Sequence, residues 1–147
     1  MGPAGVTMVI IRDNIIGKIN RHIPTMLDYN THINKTLSWL KGLGGVAMIE
    51  NINKIKAEKL YREIDRNSIF KCPVYKEDRS QMNVLFIFTE KRDKNNFLQF
   101  CADRGLMSLK GHRSVGGFRA SIYNAMPLEG IDALVAVMQD YESLHSK

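Results

Sequence analysis

At 147 residues, 44% apolar and 24% charged, the chain has the composition of one globular domain with a real core, which argues against disorder. Its longest apolar run, Met8-Val9-Ile10-Ile11, is far short of the roughly 20 residues a membrane span needs, and no basic stretch precedes it as in a secretory signal, so the chain reads as soluble and cytoplasmic. Lys and Arg outnumber Asp and Glu by 21 to 15, and the formal charge of +6 either favours an anionic partner, nucleic acid or a small phosphate, or marks a basic piece of a near-neutral parent.

In chain order, residues 5–12 are rich in β-branched side chains behind a Gly-Pro-Ala-Gly turn and predict a buried strand. Asp13 caps a short helix over Ile15, Ile16 and Ile19, and residues 22–35, with Pro24, form an irregular connection. From 37 to 66 the pattern is helical, with Ala57, Leu60, Tyr61 and Ile64 at the spacing of a buried stripe. Gly42, Gly44 and Gly45 divide it into a short helix through Trp39 and a longer one from about Val46, because glycine weakens a helix interior by roughly 1 kcal/mol. Trp39, flanked by Leu37 and Leu40, is expected in the core.

Residues 69–74 predict a short strand kept at a sheet edge by Pro73, and 81–89 predict a central strand, apolar on both faces. Asp93 caps a helix that buries Phe97, Phe100 and Cys101 and stops at Gly105. Residues 106–109 supply a further strand, which makes a βαβ unit with the strand before the helix. Past Gly116-Gly117, Phe118, Ala120 and Ile122 alternate with Arg119, Ser121 and Tyr123, so one face is core and the other polar. Pro127 suits the first turn of a last helix, with Ile131, Leu134, Val135 and Met138 as its stripe. The fold class is α+β, a mixed sheet with helices packed on one face.

Cys72 and Cys101 sit in unrelated contexts and read as two buried thiols in a reducing cytoplasm. His22, His32, His112 and His145 show no ligand spacing, so no metal is expected. Lys110-Gly111-His112-Arg113, then Gly116-Gly117 and Arg119, gathers four potentially cationic groups and three glycines. Glycines let backbone approach closely, and each guanidinium offers a rigid fork that matches a carboxylate or phosphate. On residue chemistry alone this is either an anion site or a solvated basic turn. Arg79 reads as a structural arginine. Asp28, Tyr29, Thr31 and His32 either border a site or join two domains.

The run Gly-His-Arg-Ser-Val-Gly-Gly-Phe-Arg-Ala-Ser-Ile-Tyr-Asn-Ala-Met-Pro-Leu-Glu-Gly, from Gly111, resembles the carboxy-terminal signature of phosphoserine aminotransferases. Supporting it in the family's order are Met1-Gly2-Pro3-Ala4-Gly5-Val6-Thr7, Met26-Leu27-Asp28-Tyr29 with Thr31-His32, Trp39-Leu40-Lys41 with Gly44-Gly45, and Arg79-Ser80 with Met82-Asn83. The resemblance implies a fold-type-I pyridoxal-phosphate enzyme, dimeric in the family, that exchanges an amino group between phosphoserine and 2-oxoglutarate in serine biosynthesis. It further implies that Arg119 grips the substrate α-carboxylate and that His112 and Arg113 reach its phosphate. Residues 1–36 would be a remnant of the large cofactor domain and the interdomain connection, and 37–147 the small domain.

Two departures from the family pattern bear on competence. The Schiff-base lysine of the family lies in a Gln-Lys-Asn segment directly before Met-Gly-Pro-Ala-Gly, so it would fall outside these residues, as would the glycine loop, the stacking aromatic and the aspartate of the cofactor site. Between Ile33 and Leu37, where the family carries a longer segment with an Asn-Thr-Pro-Pro motif, only Asn34-Lys35-Thr36 stands. That motif helps hold the partner subunit's cofactor phosphate, so both the dimer and shared cofactor binding are put in question. The expectation is a chain with no catalytic or cofactor-binding residue of its own, inactive alone and without covalent pyridoxal phosphate. The competing reading is a non-catalytic basic module that binds anions or nucleic acid, although no nucleic-acid or membrane motif is present.

Overall fold

A computed structural model describes residues 38–111 and 116–145; the strand expected at 5–12, the helix after Asp13, the 22–35 connection and the short Ile33–Leu37 link lie outside them. The chain divides into two compact units, Met1–Met48 and Ile49–Lys147. Two helices stand where two were expected: α1 (Ser38–Gly42) and α2 (Gly45–Arg66). Gly44 and Gly45 hold φ of 96° and 80°, which no continuing helix can adopt and which other residues rarely tolerate. Trp39 is 42% exposed rather than in the core, because the five-residue α1 buries none of its side chains.

In the second unit the predicted stripe Ala57, Leu60, Tyr61 and Ile64 is buried, and Ile49, Asn53 and Lys56 extend it back along the same face of α2. Three strands come next, β1 (Phe70–Lys71), β2 (Asn83–Phe88) and β3 (Phe118–Ser121), in the order β1-β2-β3 with both pairings antiparallel. β1 is an edge strand, and β2 is central, as expected. Val84, Phe86 and Phe88 of β2 are buried while Leu85 and Ile87 are half-buried, so its apolar character on both faces is fully used on one face only. Residues of α2, of α3 (Lys94–Ala102) and of α4 (Leu128–His145) join those three in one core cluster, which places the helices on one face of the sheet.

The side chain of Asp93 caps α3 by accepting from the Asn95 N–H at 2.9 Å. Phe97 and Cys101 are buried, and burial pushes the Cys101 thiol up to about 12, the behaviour of an inert packing residue. Phe100 is only partly buried, with the Arg104 guanidinium 3.5 Å above its ring. The strand expected at 106–109 does not form: Ser108 takes φ 63°, outside the extended region, and only Lys110 pairs, as an isolated antiparallel bridge to Phe118. Among the described residues the sheet is therefore antiparallel rather than mixed, and there is no βαβ unit. In α4 Ile131, Leu134 and Met138 are buried as expected, Val137 and Tyr141 widen the stripe, and Val135 is partly buried.

Two buried polar ties fasten α2 to the turn between β3 and α4. Lys56 is fully buried and donates to the carbonyls of Ile122, Tyr123 and Met126 at 3.3, 2.8 and 3.1 Å, while Asn53 donates to Asn124 Oδ1 at 2.7 Å. Burial lowers the Lys56 pKa, yet three carbonyls match the three donors of an ammonium, so the charged form is the one this pocket satisfies. Lys56→Met would strip one buried and two part-buried carbonyls of their donor and should cost about 1–3 kcal/mol, read as a lower urea midpoint at an unchanged m-value.

Glu63, 4% exposed, accepts from Arg66 at 2.6 and 3.1 Å, Asn67 at 2.9 Å and Gln139 at 2.9 Å, the last on α4. Burial pushes its pKa up, but those bonds outweigh it and hold the carboxyl below its ordinary 4.5. A depressed folded pKa contributes stability above the unfolded value that is lost as pH falls through the folded one. Urea midpoints should therefore hold from neutrality down to about pH 4.5 and then fall, and Glu63→Gln should lower the plateau and flatten that fall.

Candidate functional site

β3 alternates about its own axis, so Phe118 and Ala120 enter the core while Arg119 and Ser121 lie half-buried on the side away from it. Arg119 pairs with Leu85 across the sheet and donates its N–H to Leu109 O at 2.8 Å on the other edge. Gly111 N donates to Gly117 O at 3.1 Å, so residues 109–111 run antiparallel along β3 and close a loop over 111–117. His112 and Arg113 belong to that loop and lie outside the described residues; of the three expected contacts only Arg119 is described.

Close packing explains the glycines at the base of this loop. Gly117, at φ 63°, lies against β2 such that a Cβ would stand 2.5 Å from Ile87 Cγ2 and 2.8 Å from Phe86 O. A Cβ on Gly111 would overlap the carbonyl of Gly116. The backbone is thus held against the sheet at Gly117, two residues before Arg119.

Among the described residues the Arg119 guanidinium makes no hydrogen bond or ion pair, and its Nε is shielded from solvent without a partner. Leaving a buried donor unmatched costs about 1–3 kcal/mol. The other buried arginine Nε atoms belong to side chains that are tied elsewhere: Arg79 through both terminal nitrogens to Asp65 at 2.6 and 2.8 Å, and Arg92 through Nη1 alone to His145 O at 3.3 Å. Arg119 lines a cavity of about 370 Å³ whose polar rim includes Ser108 and Ser121. Beside it Asn83 Oδ1 accepts from Ser121 at 3.3 Å and from Tyr123 at 3.4 Å, a cross-strand tie that sequence reasoning did not assign. Its only sequence signal is a polar residue opening an otherwise apolar strand.

Arg79 is structural, as expected. It holds Asp65 through both terminal nitrogens and lies 4.6 Å over the Tyr61 ring, whose hydroxyl donates to Ser80 O at 3.0 Å. Burial is the main reason the Tyr61 phenol is pushed up to about 12. The cavity around this group, about 510 Å³, brings lysines, an aromatic ring and carboxylates together, yet the ring face and Asp65 are both taken by Arg79. Lys56, the fully buried lysine, has its donors turned onto backbone carbonyls. The described residues do not fit pyridoxal phosphate. Among them no three His, Cys, Asp or Glu side chains cluster to hold a metal, and no helix is long and apolar enough to cross a membrane.

Residues 30–134 match the family model described as aminotransferase class-V. A curated relative, the phosphoserine aminotransferase of Azobacteroides pseudotrichonymphae, is 49% identical over all of this chain and 46% of its own length. That alignment runs 166 positions against 147 residues here, so at least 19 positions of the relative lack a counterpart. A solved pyridoxal-phosphate-bound phosphoserine aminotransferase from Trichomonas vaginalis superimposes with a TM-score of 0.66 at 37% identity, over 80% of this chain and 39% of that one. The enzyme from Bacillus circulans subsp. alkalophilus gives 0.72 at 31% identity, over 92% of this chain and 43% of its own. The chain spans a little under half the length of the curated relatives it matches. Gly117→Ala forces a Cβ into β2 at a left-handed φ and should destabilise by about 1–3 kcal/mol, with a matching fall in the thermal midpoint.

Proposed function

Because the chain belongs to the class-V aminotransferase family, and the relatives it resembles over its whole length are phosphoserine aminotransferases, we propose that it is the carboxy-terminal part of such an enzyme and supplies substrate contacts. Residues 37–147 form the small domain in this reading, and 1–36 the remnant of the large one. The parent reaction converts phosphoserine and 2-oxoglutarate to 3-phosphohydroxypyruvate and glutamate, a step of serine biosynthesis in the cytoplasm. Bound in the parent, pyridoxal phosphate supplies the electron sink.

The observation that carries the reading is Arg119: a half-buried guanidinium on a rigid strand, unpaired among the described residues, beside a glycine-based loop that bears two more basic side chains. A planar fork held this way matches an α-carboxylate through two parallel hydrogen bonds. His112 and Arg113, on the loop, take the phosphate. The isolated chain is inactive and forms no covalent bond to the cofactor, because the family resemblance puts the Schiff-base lysine outside these residues. Homodimerisation, usual in the family, is put in question by the short Ile33–Leu37 connection.

Calorimetric titration of the purified chain with phosphoserine and with inorganic phosphate tests the contacts. Arg119→Met should weaken phosphoserine about tenfold, the loss of a charge-assisted pair, and leave inorganic phosphate unchanged; equal weakening of both would sink the carboxylate assignment. Incubation with pyridoxal phosphate, phosphoserine and 2-oxoglutarate should yield no glutamate, and borohydride no labelled lysine. Turnover by the chain alone would refute its incompetence. Tight oligonucleotide binding with a steep salt dependence would favour the nucleic-acid reading instead.

A further inference from the structure

We propose that the cavity beside Arg119 receives the aliphatic tail of a carboxylate, so that the ligands of this site include short aliphatic acids as well as the phosphorylated one. The proposal rests on the reading of Arg119 as a carboxylate-binding residue. Every residue that lines the cavity is a described one of the second unit.

The cavity exists because the chain leaves the edge of β3 early. Along that edge Arg119 N–H donates to Leu109 O at 2.8 Å, whereas Ile122 N–H donates the opposite way, to Met82 O at 2.9 Å. Backbone donors alternate in direction along a strand, so Ser121 N–H faces the same edge as Arg119 N–H. Continuing the register of Lys110 with Phe118 would set Met107 opposite Ser121. The φ of 63° at Ser108 carries the chain off that line, and among the described residues Ser121 N–H meets no backbone acceptor. The gap left between residues 105–109, β3 and α4 measures about 370 Å³, within the range of roughly 300–1,000 Å³ that small-molecule pockets occupy.

Its walls are of two kinds. Leu109, Ile122, Ile131 and Leu134, all buried, make an apolar floor, and the exposed Met107 and Met126 supply flexible thioethers that can close over a guest. No acidic side chain lines it. Against the floor stand two unmatched donors, Arg119 Nε, shielded from solvent, and Ser121 N–H; the Ser121 hydroxyl is already given to Asn83 Oδ1 at 3.3 Å. A ligand that satisfies both kinds of wall has an oxyanion at one end and hydrocarbon behind it. Two carboxylate oxygens answer the donors, and the tail replaces water over the floor. A phosphorylated side chain does not enter, since a dianion among aliphatic groups would lose its hydration without gaining a partner. The cavity therefore selects an uncharged tail.

The test titrates the whole chain with butanoate, pentanoate and hexanoate, following amide and methyl chemical shifts. Affinity should rise about fourfold with each methylene, and hexanoate should shift the methyl groups of Leu109 and Ile131. Hexan-1-ol, which keeps the tail and lacks the charge, should bind about tenfold more weakly than hexanoate. Arg119→Met should weaken all three acids about tenfold and preserve the step between them. Leu106→Trp, which fills the cavity, should abolish the step and leave butanoate unchanged; if that variant does not fold, the methyl shifts of the unmodified chain decide. Equal affinity for the three acids, still weakened by Arg119→Met, overturns the proposal while the Arg119 reading stands. A step that survives Arg119→Met with no loss of affinity overturns both. If no acid binds, the proposal falls, and Arg119 is judged by the phosphoserine titration alone.

Discussion

The cross-strand pair of Phe86 and Phe118, with ring centroids 5.1 Å apart, fixes the register on which the rest of the unit depends. Around it Phe70, Phe88, Phe97 and Tyr141 pack edge-on and tilted at centroid distances of 4.8 to 6.3 Å, joining the sheet to α3 and α4. Side chains on a strand alternate, so a slip of one residue would turn Phe118 to solvent and drive Arg119 into the aromatic core. Burying an unpaired guanidinium there is costly enough that the alternative register does not compete. The same constraint that builds the core therefore delivers the arginine to the opposite face.

Placement of that strand is reinforced from both ends. At its start, Gly117 lies too close to β2 for any side chain, which pins the loop. Beyond its end, Lys56 and Asn53 of α2 bind the turn that leads to α4. A buried ammonium bound only by carbonyls is a demanding way to hold a turn, since loss of either side leaves buried polar groups unmatched. Rigid support of this kind is what a displayed side chain needs if it is to meet a ligand at a fixed angle. Glu63 plays the matching part between α2 and α4, with Asn67 also donating to Met138 O.

Much of this was legible in local pattern. The stripe of α2, the cap at Asp93 and the alternation after Gly117 depend on neighbours within a few residues, and each formed as expected. The βαβ unit failed because strand direction is a long-range property: Leu106 and Leu109 carry apolar side chains, but Ser108 breaks the extended run and the chain rejoins the sheet only at Lys110, antiparallel. Trp39 misled for a related reason, since a short helix need not bury its largest side chain.

The sequence by itself determined the family, through a long signature of unusual composition, and it placed the described helices and the strands β1 to β3 in order, through local periodicities, while adding at 106–109 a strand that does not form. It also singled out the cluster of basic residues and glycines. Tertiary structure alone decided that the described sheet is antiparallel and that Arg119 stands on the face away from the core, unpaired among the described residues. The reason is that pairing direction, burial and unmatched donors are properties of surfaces brought together from distant segments, and no local pattern encodes which surfaces those are.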